Sequence, residues 1–131
     1  MDASRLSSVP LFAQLGRHDR YQVAQWADEV EVEEGADLIR EGDFAHEFFV
    51  IEEGTANVEH DGRILTELTK GDFFGEIGLV EHVRRTATVT ATSPMRLVVM
   101  FEREFAAMEE QLPAVADQVK EAIRERCSQI A

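Results

Sequence analysis

Cysteine is almost absent from this chain of 131 residues: Cys127 stands alone, so neither an internal disulfide nor a cysteine-built zinc site is available. Basic residues are scarce as well, with 13 Lys and Arg against 26 Asp and Glu, a formal net charge of −13. A surface of that sign repels polyphosphate backbones and anionic lipid, which sets nucleic acid and membrane surfaces aside as expected partners. Long apolar runs are missing, since no window approaches the ~20 residues needed to cross a bilayer. The opening MDASRLSSVP has neither the basic start nor the apolar stretch of a secretory leader, so a cytoplasmic location is expected. Metal-ligand spacing is lacking too: His18, His46, His60 and His82 fall on separate expected elements, which argues against a histidine metal centre of the cupin type. No cofactor and no metal are expected.

What is present is enough apolar material, 44% of residues, for one compact core, and the length suits a single domain. Residues 1–28 read as a helical segment. Val9-Pro10-Leu11-Phe12 with Leu15-Gly16 looks like an apolar turn, and Asp19 is a candidate cap for a helix through Tyr21, Val23, Ala24, Trp26 and Ala27. Residues 29–101 change to short apolar stretches parted by turn signals at Glu34-Gly35, Gly42-Asp43, Glu53-Gly54, Asp61-Gly62, Gly71-Asp72 and Ser93-Pro94. Between these lie Leu38-Ile39, Phe48 to Ile51, Thr55 to Val58, Ile64 to Leu68, Thr86 to Thr90 and Arg96 to Met100, which read as strands. Asp61-Gly62, flanked by Val58 and Ile64, is the strongest hairpin signal. The expected fold is mainly β, an eight-stranded β-roll or jelly-roll barrel.

Residues 102–131 turn to helix formers. Glu102 to Gln111 reads as one helix and Pro113 suits the first turn of a second. Leu112, Val115, Val119, Ile123, Cys127 and Ile130 form a stripe at spacings of three and four. That stripe needs a cover, and its own barrel, a ligand or a second copy of the chain each qualify.

One interval breaks the strand rhythm, Phe73-Phe74-Gly75-Glu76-Ile77-Gly78-Leu79-Val80, followed by Glu81-His82-Val83-Arg84-Arg85-Thr86-Ala87-Thr88. Two glycines flank Glu76 and let backbone amides approach a ligand closely. A single helical turn over 75–80 would present unpaired N–H groups to an anion, and a basic pair precedes the next strand. Taken singly, Glu76 is a favourable charge on a helix dipole and either arginine a solvated surface residue.

Together these residues resemble the cyclic nucleotide-binding domain shared by catabolite activator proteins, protein kinase A regulatory subunits and cyclic-nucleotide-gated channels. Phe-Gly-Glu-Ile-Gly-Leu, a gap, then Arg-Thr-Ala-Thr looks like that family's phosphate-binding cassette, with an arginine nine positions beyond the acid. Leu38 to Asp43 and Glu47 to Gly54 resemble its first strands, so the likeness runs from about Pro10 to the end.

The resemblance implies that Glu76 accepts from a ribose 2′-hydroxyl and that Arg85, rather than adjoining Arg84, pairs with the cyclic phosphate. Gly75 would lie near the sugar, with backbone amides around Ile77, Gly78, Thr86 and Ala87 completing the cradle. These residue types suit the chemistry, because a guanidinium offers fixed donors to a phosphate's two acceptor oxygens and a carboxylate accepts from a hydroxyl. Phe74, Leu65 and Val89 are candidates for the base pocket, although aromatic and aliphatic strand residues of this kind are more often plain core. Thr86 leaves cAMP and cGMP open, with cAMP favoured, and Ile123, Arg124 and Cys127 are candidate lid residues over the base. The family often places proline where Arg84 stands and frequently a Pro-Gly turn where Phe44-Ala45-His46 stands, two departures from its pattern. The implied role is a regulatory sensor in signal transduction, not an enzyme, acting through an effector protein or fused domain. A nucleotide-free scaffold pairing as a homodimer through the last helix is the alternative.

Overall fold

The computed structural model describes residues 2–7, 9–13, 15–44, 47–74 and 85–130, with the side chains of 10, 11 and 122–130 excepted. Three short helices open the chain, α1 (Ala3–Leu6), α2 (Pro10–Ala13) and α3 (Arg17–Ala24). Eight strands follow among the described residues, β1 (Asp28–Val32), β2 (Asp37–Ile39), β3 (Glu47–Glu53), β4 (Ala56–His60), β5 (Arg63–Leu68), β6 (Phe73–Phe74), β7 (Thr88–Ala91) and β8 (Met95–Phe101). Helices α4 (Glu102–Gln111) and α5 (Pro113–Ile130) end it. The strands form two antiparallel four-stranded sheets, ordered β1-β8-β3-β6 and β2-β7-β4-β5, the two layers of a β-roll.

The continuous apolar runs in β3 and β8 explain how roll and helices hold together. A strand points successive side chains to opposite faces, so a strand apolar at every position must be covered on both sides. Phe49, Ile51, Leu97 and Val99 point into the roll, where they meet Ala56, Leu68, Phe74, Val89 and Ala91 from the other strands and Met95 from the start of β8. Phe48, Val50, Val98 and Met100 point the other way, onto Leu6, Val9, Phe12, Val23, Phe105, Met108, Val115 and Val119. The helices thus form a third layer on the outer face of one sheet. The proximal half of the α5 stripe, through Val119, is covered within the chain.

The β4–β5 hairpin turns at Asp61 and Gly62, with φ of 52° and 75°, the two positive values that a two-residue primed turn requires. Gly54 sits at φ 102°, and a Cβ placed there would lie 2.5 Å from the Pro94 carbonyl oxygen. That turn also holds Thr55, whose N–H donates to Ser93 Oγ.

Three local expectations are corrected. Asp19 does not cap α3: Gly16 is the cap, extended at φ −63° and ψ 161°, with Arg20 N–H donating to its carbonyl, and Asp19 lies within the first turn. The segment expected as an apolar turn contains α2, begun by a proline whose missing N–H costs nothing at a helix start. The strand expected from Thr86 begins at Thr88, where pairing with Glu59 starts.

Candidate functional site

The residues flanking 75–84 are both anchored on β3. On the near side, the 72–74 segment runs antiparallel to it: Ile51 N–H donates to the Asp72 carbonyl, and β6 pairs Phe74 with Phe49 and Phe73 with Val50. The Phe74 ring stacks on that of Phe49, centroids 4.8 Å apart and planes 10° from parallel. On the far side, Arg85 Nη2 donates to the carbonyl of Glu47 at 2.7 Å. Glu47 and Phe49 are two residues apart on one strand, about 7 Å. The interval singled out in the sequence therefore leaves and returns beside the same end of the roll.

Arg85 is the buried cation among the described residues of this region, only 7% exposed. Its backbone is held as firmly as its side chain, since its N–H donates to the Asp43 carbonyl at 2.7 Å and its carbonyl accepts from Gly42 N–H at 2.9 Å. The Gly42 turn, at φ 90°, brings that loop into position. A permanently charged guanidinium with a fixed orientation beside the Glu47 end of β3 is suited to an anion that offers several acceptor oxygens.

Thr86 and Ala87 follow directly, Thr86 exposed and Ala87 half-buried. Val89 and Phe74 both belong to the interior cluster, 2% and 5% exposed, whereas Leu65 lies outside it on the edge strand β5, 60% exposed beside Ile64. Of the other sequence-derived candidates, Gly75, Glu76, Ile77, Gly78, His82 and Arg84 lie outside the described residues, as do the side chains of Ile123, Arg124 and Cys127.

Spacing gave no hint of a second group of residues that the fold brings beside Thr86. Glu41, His60 and Asp61 gather from the β2–β3 loop and the β4–β5 hairpin, their ligand-type atoms within 4.8 Å of one another, all exposed. His60 Nδ1 is 2.9 Å from the Thr86 carbonyl and 2.9 Å from Glu41 Oε1, and Nε2 is 3.4 Å from Asp61 Oδ2. The Glu41 backbone is itself fixed, its N–H donating to Thr88 Oγ1 at 3.0 Å. The only signal in the sequence was the hairpin turn that follows His60.

On the opposite face, Glu52 is 6% exposed at a bulge in β3, where Ile51 pairs with Leu97 and Glu53 with Arg96. Arg5 of α1 lies 3.7 Å from Glu52 and 3.0 Å from Glu29. Burial, then the neighbouring Glu29 charge and a hydrogen bond with it, push the Glu52 carboxyl up from 4.5 to about 7.

Residues 29–111 match the cyclic nucleotide-binding domain family, well over half of the chain. The chain belongs to that family. It is 37% identical over 95 residues to the cAMP-dependent protein kinase regulatory subunit of Schizosaccharomyces pombe, covering 72% of this chain and 23% of that protein. In fold it is similar to the Thermus thermophilus catabolite activator protein, at a TM-score of 0.81 and 22% identity over 92% of this chain and 59% of the other. It is similar too to a cyclic nucleotide-binding domain from Methylobacillus flagellatus, at 0.82 and 16% identity over 98% and 77%. The chain spans about a quarter of the length of the curated relatives it matches. Among the described residues, no helix is long and apolar enough to cross a membrane.

Proposed function

We propose that this domain binds a cyclic mononucleotide, cAMP in preference to cGMP, and reports its presence as a regulatory sensor. The observation that carries the reading is Arg85: a buried guanidinium, fixed through backbone and side chain at the end of the interval that resembles the phosphate-binding cassette. In this reading Arg85 pairs with the cyclic phosphate and Glu76 accepts from the ribose 2′-hydroxyl. Gly75, Ile77, Gly78, Thr86 and Ala87 supply close backbone, and Phe74, Val89 and Leu65 offer apolar surface to the base. The ligand is bound and not turned over, and no resident cofactor takes part.

Signalling requires that the nucleotide bind one arrangement of the domain better than another. β3 supplies a physical link, since it carries the anchors of the cassette interval at Glu47 and Phe49 and presses Phe48 and Val50 against the helical layer. Movement of α4 and α5 on binding is the proposed output, received by an effector protein or a fused domain, as the kinase-regulatory relatives suggest. Calorimetric titration of cAMP and cGMP into wild type and Arg85→Ala tests the site. Incubation with cAMP followed by chromatography tests the absence of turnover, and accumulation of AMP would contradict it.

A further inference from the structure

We propose that His60, on the β4–β5 hairpin, is a positioning residue for the phosphate end of the site: it grips the Thr86 carbonyl and thereby sets the direction of the Ala87 N–H. The inference rests on the cyclic nucleotide reading and deepens it. A carbonyl and a carboxylate only accept hydrogen bonds, so the 2.9 Å contacts of His60 Nδ1 to the Thr86 carbonyl and to Glu41 Oε1 require the proton on Nδ1. Glu41 orients the ring, and its own backbone is held by Thr88 Oγ1, so the group is braced from β7 as well as from the loop.

The Thr86–Ala87 peptide is planar and trans, so its carbonyl and its N–H point in opposite directions. Fixing the carbonyl against His60 fixes the N–H on the other side. Thr86 and Ala87 precede the first paired residue of β7, Thr88, so the strand ladder does not itself set this peptide. Arg85, one residue earlier, is already pinned by Asp43, Gly42 and Glu47. His60 extends that rigidity across the next peptide, and in the cyclic nucleotide reading a donor fixed beforehand takes a phosphate oxygen without ordering the backbone at that moment.

The test is calorimetry with cAMP and cGMP on wild type, His60→Ala, His60→Asn and His60→Gln, with melting curves for each. The Asn amide nitrogen lies where Nδ1 does and donates to the same carbonyl, whereas the Gln amide extends toward the Nε2 position. His60→Ala and His60→Gln are expected to weaken binding about three- to tenfold, the scale of one hydrogen bond, while His60→Asn stays within about twofold of wild type. Melting midpoints should move little because the ring is exposed. Wild-type affinity in His60→Ala and His60→Gln overturns the proposal, as does equal weakening in all three variants. Absence of nucleotide binding by wild type is a different pattern, which overturns the receptor reading and this inference with it.

Discussion

Glu52→Gln should make this protein more stable at neutral pH, although it removes a charge that lies within reach of an arginine. The carboxyl is 6% exposed on the face of β3 that meets the helices, and Arg5 is shared with Glu29, which it meets at the shorter distance of 3.0 Å. One carboxylate oxygen, Oε1, is buried with no hydrogen-bond partner among the described residues. Ionising Glu52 therefore strands charge in an apolar layer beside a second carboxylate, and the group holds its proton up to about pH 7 against 4.5 for an ordinary glutamate.

That rise corresponds to roughly 3 kcal/mol of stability, fully present below the unfolded-state value and lost as pH climbs through the folded-state one. Between those two values the native state holds a proton that the unfolded chain has released, so the unfolding free energy falls with pH and flattens above about 7. Glutamine mimics the protonated form at every pH. Urea unfolding at pH 5.5 and pH 8 should show Glu52→Gln gaining about 2 kcal/mol more over wild type at the higher pH. The net charge of −13 adds a repulsive background that rises with pH in both proteins and largely cancels in the comparison. The same pH dependence in both, or a variant less stable at pH 8, would refute the burial argument.

Other substitutions probe the frame around the site. Gly54→Ala places a methyl 2.5 Å from the Pro94 carbonyl oxygen at a φ of 102°, and is expected to cost about 2–4 kcal/mol in a urea melt. Phe48→Ala removes a ring that is 1% exposed and lies 5.8 Å from that of Phe73, joining sheet to helices; a loss of about 3–5 kcal/mol is expected, and a loss below about 1 would show that the layers are not held there. Gly62→Ala, at φ 75° with open space around its Cβ, should cost only about 1 kcal/mol, a contrast with Gly54 that separates backbone strain from collision.

The parts of this fold legible in the sequence are those where local pattern and tertiary need coincide. Glu102–Gln111 is the expected helix to the residue, and the Asp61-Gly62 hairpin forms as its chemistry requires. β1 was legible only as a change of texture: Asp-Glu-Val-Glu-Val is an edge strand paired with β8 alone, Asp28 and Glu31 exposed and Glu29 half-buried against Arg5. The two-residue β6 is too short for any periodicity to show. Glu52 stands next to the turn signal Glu53-Gly54, yet it is 6% exposed beside the bulge in β3.

The site divides in the same way. Arg85 stood out through its distance from Glu76 in the chain and is found fixed and buried. Glu41 and His60 lie on elements far apart in sequence, and their meeting at the Thr86 carbonyl is a product of the sheet order, which no spacing along the chain encodes.

Whether a cyclic nucleotide is held by the Arg85 guanidinium is tested most directly by calorimetric titration of cAMP into wild type and Arg85→Ala. The prediction is saturable binding to wild type, weakened by roughly 2–5 kcal/mol in a variant that melts as a folded protein. Equal affinity in the two proteins, or no binding to wild type by either cAMP or cGMP, would contradict it.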